Sequence, residues 1–548
     1  MNARRVLVLA LDGATFDVIR PLVEAGRLPH LARLMAEGEA RPLRSTVPPM
    51  TFPAWSSFLT GLGPGRHGIF DFTRKVEGRW QIRFAHAGER AGRSLLARAS
   101  AAGRRVLCLG MPATWPPEPV RGLLVSGFDA PVSAGTDERS ASDPALYRRI
   151  AGRVGPWMRP GLRESAEDAA FHERALPVLL DRVDRKRDFA LEALRAMRED
   201  GGPPDLAIVV FSETDTVSHH YWRDHDPASP RHDPAAPPER RRAVAAVYER
   251  VDAACGEIRR AFGEDAVCVA VSDHGAGGAD ARVVHLNRFL EERGFLARRP
   301  AASRADAAAR RLRDLALRWL PPAAAQALFR RLRGSAARIE SAARFGGFDW
   351  RRTAAVSEEA NTLPGVWINL RGREQTGIVG PDDYEDLRDA LIEALESWRT
   401  PEGAPVVARA RRREELYEGP FTGRAPDLVL ELGAPGGYAL SLVPTPWAAR
   451  PPALRTLSGE ELAGGRGRGM NGTHRPDGIW IAAGLPPSGL PAEAAASIAD
   501  AAPTLLDALG IPWEAGDTAD GISLLRRELS PREEALIADR LRALGYLE

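Results

Sequence analysis

The fold is decided by the stretch Val6-Leu-Val-Leu-Ala-Leu-Asp-Gly13, in which six apolar residues end at an aspartate and a glycine. An uninterrupted apolar run of this length is typical of a strand buried on both faces of a parallel sheet. Asp12 would then lie at the carboxyl edge of that strand, where ligands bind in open α/β sheets. The alternative for Asp12 is an ordinary helix or turn cap.

Similar apolar runs recur along the chain and alternate with helical patterns. The runs are at 6–11, 105–110, 206–211 and 266–272, and the helical patterns at 171–199 and 239–262. This alternation predicts an α/β fold with a mostly parallel sheet and helices on both faces. Later segments, strand-like at 366–370 and 427–432 and helical at 382–398, are expected to return the chain to this sheet.

Two of the predicted strands are followed by carboxylate and imidazole side chains. Asp215 and His219 follow 206–211 and are four residues apart, so on one helical turn they would face the same way and could bind one metal ion. Asp273 and His274 follow 266–272 directly, before an expected glycine-containing loop at 275–277. Metal ligands are therefore predicted at the same sheet edge as Asp12.

Two further candidates come from a threonine and a histidine. Thr51 stands two residues before Pro53, which suits the first turn of a helix. A hydroxyl there could meet a phosphate bound at the helix N-terminus, or it could simply cap the helix. His474 is expected in a glycine-rich loop that precedes a strand at 478–483.

Taken in this order, the motifs resemble the alkaline phosphatase superfamily, and most closely its type I phosphodiesterase/nucleotide pyrophosphatase family. The resemblance runs from Val6 to about Leu525, apart from a middle segment. It is carried by Leu11-Asp-Gly13, Thr51-Phe-Pro53, Thr60-Gly-Leu-Gly-Pro-Gly-Arg-His-Gly-Ile69, Glu213-Thr-Asp-Thr-Val-Ser-His219, Ser272-Asp-His-Gly275, Gly472-Thr-His474 and the segment 498–512. It implies an alkaline-phosphatase-like fold and a metal-dependent phosphoric ester hydrolase.

The resemblance also implies the roles of the candidate residues and two divalent metal ions, Zn²⁺ or else Mn²⁺. The implied ligands are Asp215, His219 and His474 for the first ion, and Asp12, Asp273 and His274 for the second. Thr51 would be the nucleophile and would form a phosphothreonine. The substrate would be a small phosphate ester, with a phosphodiester or pyrophosphate ahead of a monoester. The alternatives are a phosphomutase and a non-catalytic protein that binds a phosphate ligand through metal.

The sequence departs from the family directly after the Thr-Phe-Pro motif. Nucleotide pyrophosphatases usually carry Asn there, whereas this chain has Ala54, which cannot donate a hydrogen bond to a phosphate oxygen. A sulfatase is disfavoured because Thr51 replaces the Cys or Ser that those enzymes oxidise, and Trp55 stands where they carry Arg. The departure affects substrate choice and leaves the predicted metals and nucleophile unchanged.

The predicted organisation is a catalytic core at 1–296 and 346–525, a helical insertion at 297–345 and a C-terminal amphipathic helix at 526–548. The insertion is rich in Arg and could be a substrate lid or a patch that contacts a membrane surface or an anionic partner. The alternative is a helical pair packed on the core with a solvated basic face. The C-terminal helix could dock on the core or on a second copy of the chain. His225 and His232, within 224–238, suggest either an extra metal site or a solvated loop.

Composition narrows the class of protein. The net charge of +2 gives no reason to expect a nucleic-acid partner. The three cysteines, Cys108, Cys255 and Cys268, lie in apolar or helical context and predict reduced core thiols in a cytoplasmic protein. No run reaches the roughly 18 apolar residues of a membrane span.

Overall fold

The structure is a computed structural model that describes residues 4–127, 137–158, 171–299, 344–446, 449–465, 468–488, 490–491, 494–513 and 519–525, with a few single positions besides. The predicted insertion at 297–345 and the C-terminal helix at 526–548 lie almost wholly outside the described residues.

Strands and helices alternate over most of the described chain. The strands are β1 (Val6–Leu11), β2 (Gly38–Arg44), β3 (Thr73–Lys75), β4 (Ile82–Phe84), β5 (Val106–Met111), β6 (Gly122–Ser126), β7 (Leu206–Phe211), β8 (Val267–Val271), β9 (Gly275–Val284), β10 (Ala355–Val356), β11 (Gly365–Ile368), β12 (Val407–Arg412), β13 (Leu428–Leu432), β14 (Ala439–Leu442), β15 (Leu454–Thr456), β16 (Gly472–Arg475), β17 (Asp477–Ala483) and β18 (Ala496–Ser497). The helices are α1 (Phe16–Glu24), α2 (Pro29–Glu37), α3 (Thr51–Thr60), α4 (Pro64–His67), α5 (Leu95–Ala101), α6 (Pro144–Val154), α7 (Phe171–Glu199), α8 (Glu213–His225), α9 (Pro238–Arg241), α10 (Ala243–Phe262), α11 (Leu286–Glu292), α12 (Tyr384–Glu396), α13 (Arg413–Leu416) and α14 (Ala501–Ala508).

Within the described residues, the main sheet has eight strands in the order β18-β2-β17-β8-β1-β7-β5-β6. β1 pairs in parallel with β7 on one side and with β8 on the other, and β7 pairs in parallel with β5. In this register Leu11 lies beside Phe211 and Ala10 beside Val271, so the three strands end at one edge. The prediction of a mostly parallel α/β sheet is confirmed.

The sheet is covered on both faces, as the uninterrupted apolar pattern of β1 predicts. Leu7, Leu9 and Leu11 pack in one core cluster with residues of α7 and α10. The alternate residues of β1 pack in a second cluster with residues of α3, α5 and α14. Every side chain of β1 is buried, and this fixes the position of Asp12 at its end.

The strands predicted at 366–370 and 427–432 exist, but they do not return to the main sheet. They are β11 and β13, which belong to an antiparallel sheet in the order β10-β11-β13-β12. Val366, Ile368 and Leu428 pack there against α12, in a core cluster separate from both clusters of the main sheet. Local apolar patterns predicted the strands correctly, but the sheet that each strand joins depends on contacts between residues far apart in sequence.

β17, predicted at 478–483, joins the main sheet antiparallel to both β2 and β8. The two expected loops near the site are also strands. Gly275 begins β9, and His474 lies in β16, which pairs antiparallel with β9 so that His474 is opposite Ala276. Gly275 is required by the close approach of β17, because a Cβ atom at Gly275 would lie 2.2 Å from the carbonyl oxygen of Asp477, the first residue of β17. In the described part of the chain, no helix is long and apolar enough to cross a membrane.

Candidate active site at the carboxyl edge of the main sheet

The first group of ligand atoms comes from α8 and β16. Asp215 and His219 lie one turn apart on α8, and His219 Nε2 is 3.3 Å from Asp215 Oδ1. His474 reaches the same place from β16, with its Nε2 3.5 Å from Asp215 Oδ1 and 3.0 Å from His219 Nε2. The three side chains therefore converge on one point.

The second group lies at the ends of β1 and β8. His274 Nε2 is 3.7 Å from Asp12 Oδ1 and 3.4 Å from Asp273 Oδ2. The ring of His274 stacks on that of His474, with centroids 3.7 Å apart, so the two groups are adjacent. Asp273 is held by the backbone N–H of Gly13, which donates to its Oδ1 over 3.2 Å.

Thr51 faces these groups from the start of α3. It is the first residue of the helix, and the cap position belongs to Met50, so the interpretation of Thr51 as an N-cap is wrong. Its Oγ1 lies 3.3 Å from His274 Nε2. Ala54 and Trp55, one turn further on, are fully buried in the core.

The three histidines share one hydrogen-bonding arrangement. Each has its Nδ1 beside a backbone carbonyl oxygen: His219 at Gly472 (2.9 Å), His474 at Pro49 (2.9 Å) and His274 at Gly275 (3.0 Å). A neutral imidazole that donates from Nδ1 has a free lone pair at Nε2. All three Nε2 atoms are therefore set to act as acceptors or ligands towards the same space.

Three buried carboxyl groups lie close together here, and their pKa values shift in different directions. Burial and the neighbouring carboxylates raise the pKa of Asp12, and burial raises that of Asp273 to about 7. Burial opposes ionisation of Asp215 as well, but His219 and His474 outweigh it and hold its pKa below the ordinary value. Burial also lowers the pKa of His274 to about 3, which keeps its ring neutral.

The donor set fits divalent metal ions. One carboxylate oxygen each of Asp12, Asp215 and Asp273 is buried without a hydrogen-bond partner. Lone pairs of two imidazoles and a carboxylate within 3.5 Å of one another repel unless a cation lies among them. Among the described residues, two groups have ligand atoms that all lie within 4.8 Å of one another, so each group could bind one ion. They are Asp215, His219 and His474, and Asp12, Asp215 and His274. Asp215 belongs to both, while Asp273 lies beside the second.

Two features that hold the site were not evident from the sequence. Gly13 has a φ of 64°, and a Cβ atom there would lie 2.8 Å from Asp215 Oδ1, so glycine lets β1 and α8 approach. Lys186 of α7 and Glu213, two residues before Asp215, form a buried ion pair of 2.9 Å. The sequence offered one indication that Lys186 is important, because it is one of only two lysines in the chain.

The segment 224–238 is neither an extra metal site nor simply a solvated loop. Within the described residues, His225 and His232 belong to no group of potential metal ligands. His232 Nδ1 instead lies 2.9 Å from the carbonyl oxygen of Arg223. Arg231, in the same segment, is fully buried.

Comparison with known proteins agrees with this architecture. The family model of type I phosphodiesterase/nucleotide pyrophosphatase matches residues 6–441. The structure of phosphonoacetate hydrolase from Sinorhizobium meliloti 1021 with phosphonoacetate has 16% sequence identity and a TM-score of 0.52, and covers 92% of this chain and 96% of that one. The same enzyme with phosphonoformate gives 16% identity and a TM-score of 0.51 over the same shares. Murine ectonucleotide pyrophosphatase/phosphodiesterase 5 in complex with AMP has 12% identity and a TM-score of 0.47 over 97% and 98% of the two chains. No curated protein sequence is significantly similar to the chain.

The fold and the matched family define a metal-dependent phosphoester hydrolase of the alkaline phosphatase superfamily. The chain belongs to the type I phosphodiesterase/nucleotide pyrophosphatase family, whose model matches most of its length. The predictions of family, fold class and enzyme class are thereby confirmed.

Proposed function

We propose that the chain hydrolyses a small phosphodiester or pyrophosphate, in preference to a phosphomonoester, through a phosphothreonine at Thr51. The observation that carries this proposal is that the Thr51 hydroxyl lies 3.3 Å from His274 Nε2, which itself lies beside buried carboxylate oxygens that have no hydrogen-bond partner. Buried polar atoms are almost always satisfied. An unsatisfied cluster beside a hydroxyl therefore supports a reaction centre that is completed by bound ions.

The proposed ligands are Asp215, His219 and His474 for one ion, and Asp12, Asp273 and His274 for the other. Asp215 is close enough to contribute to both groups. The first set, with two imidazoles and a carboxylate, suits Zn²⁺, and the oxygen-rich second set suits Zn²⁺ or Mn²⁺. When bound, the two ions would neutralise the phosphate ester and favour ionisation of a nearby hydroxyl.

Thr51 supplies the nucleophile in this proposal. Attack by its Oγ1 forms an O–P bond and breaks the bond between phosphorus and the leaving oxygen of an alcohol or, for a pyrophosphate, of a phosphate. The proton that the hydroxyl loses is balanced by one taken up by the leaving group or released to water. Water then cleaves the phosphothreonine and restores Thr51. The first N–H groups of a helix have no acceptor within the helix, so those of Thr51 and Phe52 at the start of α3 could donate to the non-bridging phosphate oxygens during both steps.

The position of Ala54 bears on the substrate. Its methyl group lies in the core and offers no donor to a phosphate oxygen. We therefore propose that nucleotides are not specifically preferred. Phosphonoacetate and AMP, which appear with the structural neighbours, belong in a substrate screen beside simple mono- and diesters.

The cellular setting is also a proposal. Cys108, Cys255 and Cys268 are buried free thiols, as expected for a reducing compartment. We propose a cytoplasmic location, which cell fractionation would test. Contact with a membrane through 297–345, or with a second copy through 526–548, involves segments outside the described residues.

The test is a comparison of Thr51→Ala with Thr51→Ser after chelation and re-addition of Zn²⁺ or Mn²⁺. Thr51→Ala should lower kcat by several orders of magnitude while the content of metal stays near two ions per chain. Thr51→Ser should retain activity because it keeps the hydroxyl. Near-wild-type turnover by Thr51→Ala would exclude the proposed role.

Two controls separate the other functions. Transfer of the phosphoryl group to an added alcohol in preference to water would indicate a phosphomutase. Binding of phosphate esters without turnover of any ester in the screen, with either metal, would indicate a binding protein.

A further inference from the structure

Arg231 is a buried cation that contacts backbone carbonyls. Arg231 lies in the loop that joins α8 to α9, and its side chain is fully buried. Its Nε donates to the carbonyl oxygen of Asp280 over 2.8 Å, and its Nη2 to that of Arg468 over 3.1 Å. Its Nη1 donates to Met470 (3.0 Å) and, over a longer distance, to Gly469 (3.3 Å). All three nitrogens of the guanidinium are thereby used.

Three of the four carbonyls that Arg231 binds belong to the segment that leads to His474. Residues 468–470 lead directly into β16, which is only four residues long, and Asp280 lies in β9, the strand that pairs with β16. A strand this short has few ladder hydrogen bonds to fix its position. Its position therefore depends on what holds the segment before it.

That segment also meets α8, which carries the other two ligands of the first group. The backbone N–H of Asn471 donates to the carbonyl oxygen of His219 over 2.9 Å, and the side-chain amide of Asn471 donates to that of His220 over 3.2 Å. His219 Nδ1 lies 2.9 Å from the carbonyl oxygen of Gly472. The separation of 3.0 Å between the Nε2 atoms of His219 and His474 thus depends on the register between α8 and this segment.

The loop that carries Arg231 is anchored to the end of α8. Arg240 forms a bidentate pair with Asp224, with both N···O distances 2.9 Å, and Arg223 pairs with Asp233 at 3.1 Å. The loop that carries Arg231 is therefore tied to α8, and its guanidinium spans from that loop to the segment before β16. It connects the two elements that bear Asp215, His219 and His474.

Arginine suits this position. Carbonyls of successive residues face one side, and a planar guanidinium offers five N–H donors in a fixed arrangement. Burial lowers the pKa of Arg231 to about 10, so the side chain keeps its charge at neutral pH. Replacement by a shorter polar side chain would leave buried carbonyls without donors, which favours movement of the segment.

We infer that Arg231 is a positioning residue for the first metal site, and that it sets β16 against α8 so that His474 meets Asp215 and His219. This inference rests on the proposed function, because it concerns the affinity of one of the two proposed ions. It assigns a role within the site to a segment that makes no contact with the ligand atoms.

The experiment measures the binding of Zn²⁺ to metal-free protein in competition with a chromophoric chelator. Arg231→Gln should weaken one of the two sites by about 10–100-fold, the usual effect of removing a group that orients a metal ligand, and leave the other unchanged. Saturating Zn²⁺ should restore turnover. Equal affinities at both sites in folded Arg231→Gln and wild-type protein would overturn the inference.

Arg41→Gln is the matched control. Arg41 is equally buried and donates to the backbone carbonyls of Ala494 (3.0 Å) and Pro491 (3.3 Å), away from the site. Its substitution should leave both affinities unchanged, and an equal loss there would mean that the effect of Arg231 is general. If Arg231→Gln does not fold, Arg231→Lys is measured instead. A weakened first site would support the inference, and wild-type affinities at both sites would overturn it.

A second measurement separates positioning from general destabilisation. In a His474→Ala background the first site is already lost, so adding Arg231→Gln should not change the affinity of the remaining site. A further loss would contradict a specific role. Failure of wild-type protein to bind any Zn²⁺ would refute the proposed function instead, and is thus distinguishable from failure of this inference.

Discussion

Substitution of Gly13 by alanine tests whether the close approach of β1 and α8 sets the metal site. The residue has a φ of 64°, a left-handed conformation that costs a residue with a Cβ atom about 1–2 kcal/mol. The new Cβ atom would lie 2.8 Å from Asp215 Oδ1, 2.9 Å from its Cβ and 3.1 Å from its Cα. Because two of these atoms are close to the backbone, Asp215 can retreat only if the start of α8 moves.

Such a movement should reduce metal binding more than it reduces stability. Ligand distances at a metal site tolerate deviations of about 0.2 Å, so we expect a loss of affinity of about 10–100-fold. The control is Gly26→Ala, with a φ of 71° and no atom within 4 Å of the added Cβ. Both variants should lose stability in urea denaturation because of the left-handed conformation, and Gly13→Ala should lose more because its Cβ atom also meets Asp215. Only Gly13→Ala should lose metal by elemental analysis and turnover at limiting Zn²⁺. Wild-type metal affinity in Gly13→Ala would refute the reasoning.

Three further predictions address charge around the site. Lys186→Met should destabilise the protein by about 3–5 kcal/mol, because it leaves Glu213 buried and unpaired, and addition of Glu213→Leu should recover most of the loss in chemical denaturation. In metal-free protein, the raised pKa of Asp273, about 7, means that its stabilising contribution is present at low pH and is lost as pH rises through about 7. The unfolding free energy of Asp273→Asn relative to wild type should therefore increase between about pH 4 and pH 7, and a difference that does not change with pH would contradict the raised pKa. His225→Ala should leave the metal content unchanged, since His225 belongs to neither ligand group among the described residues; loss of an ion would assign it a role.

Local sequence patterns predicted the part of the fold that depends on local physics. β1, β7 and α7 have the predicted bounds, because continuous apolar runs and helical periodicity report burial directly. The spacing of Asp215 and His219 likewise predicted that both lie on one face of a helix, where the structure places them.

The rest depends on contacts between distant segments. The apolar pattern of β13 is equally compatible with a place in the main sheet or in a separate one. The apolar pattern of β17 does not specify that this strand runs antiparallel to β8. The glycine-rich context of His474 suggested a loop, yet glycine in β16 permits close approach, since a Cβ atom at Gly472 would lie 2.2 Å from the carbonyl oxygen of Ser218. The element that each strand packs against could not be predicted from the sequence of that strand alone.

Arg231 shows the same limit within the site. Its neighbours in sequence, proline and aspartate among them, indicate a solvated loop. Its burial is decided by the carbonyls of Arg468, Gly469 and Met470, more than two hundred residues away. A composition rich in Arg gave no reason to single it out.

The phosphothreonine intermediate can be detected by mass spectrometry of protein quenched with acid during turnover of a slow phosphate ester. We expect a phosphoryl adduct on the peptide that contains Thr51, present with metal, and absent after chelation or in Thr51→Ala. Turnover by the wild-type protein without any such adduct, together with undiminished turnover by Thr51→Ala, would contradict the proposed role of Thr51.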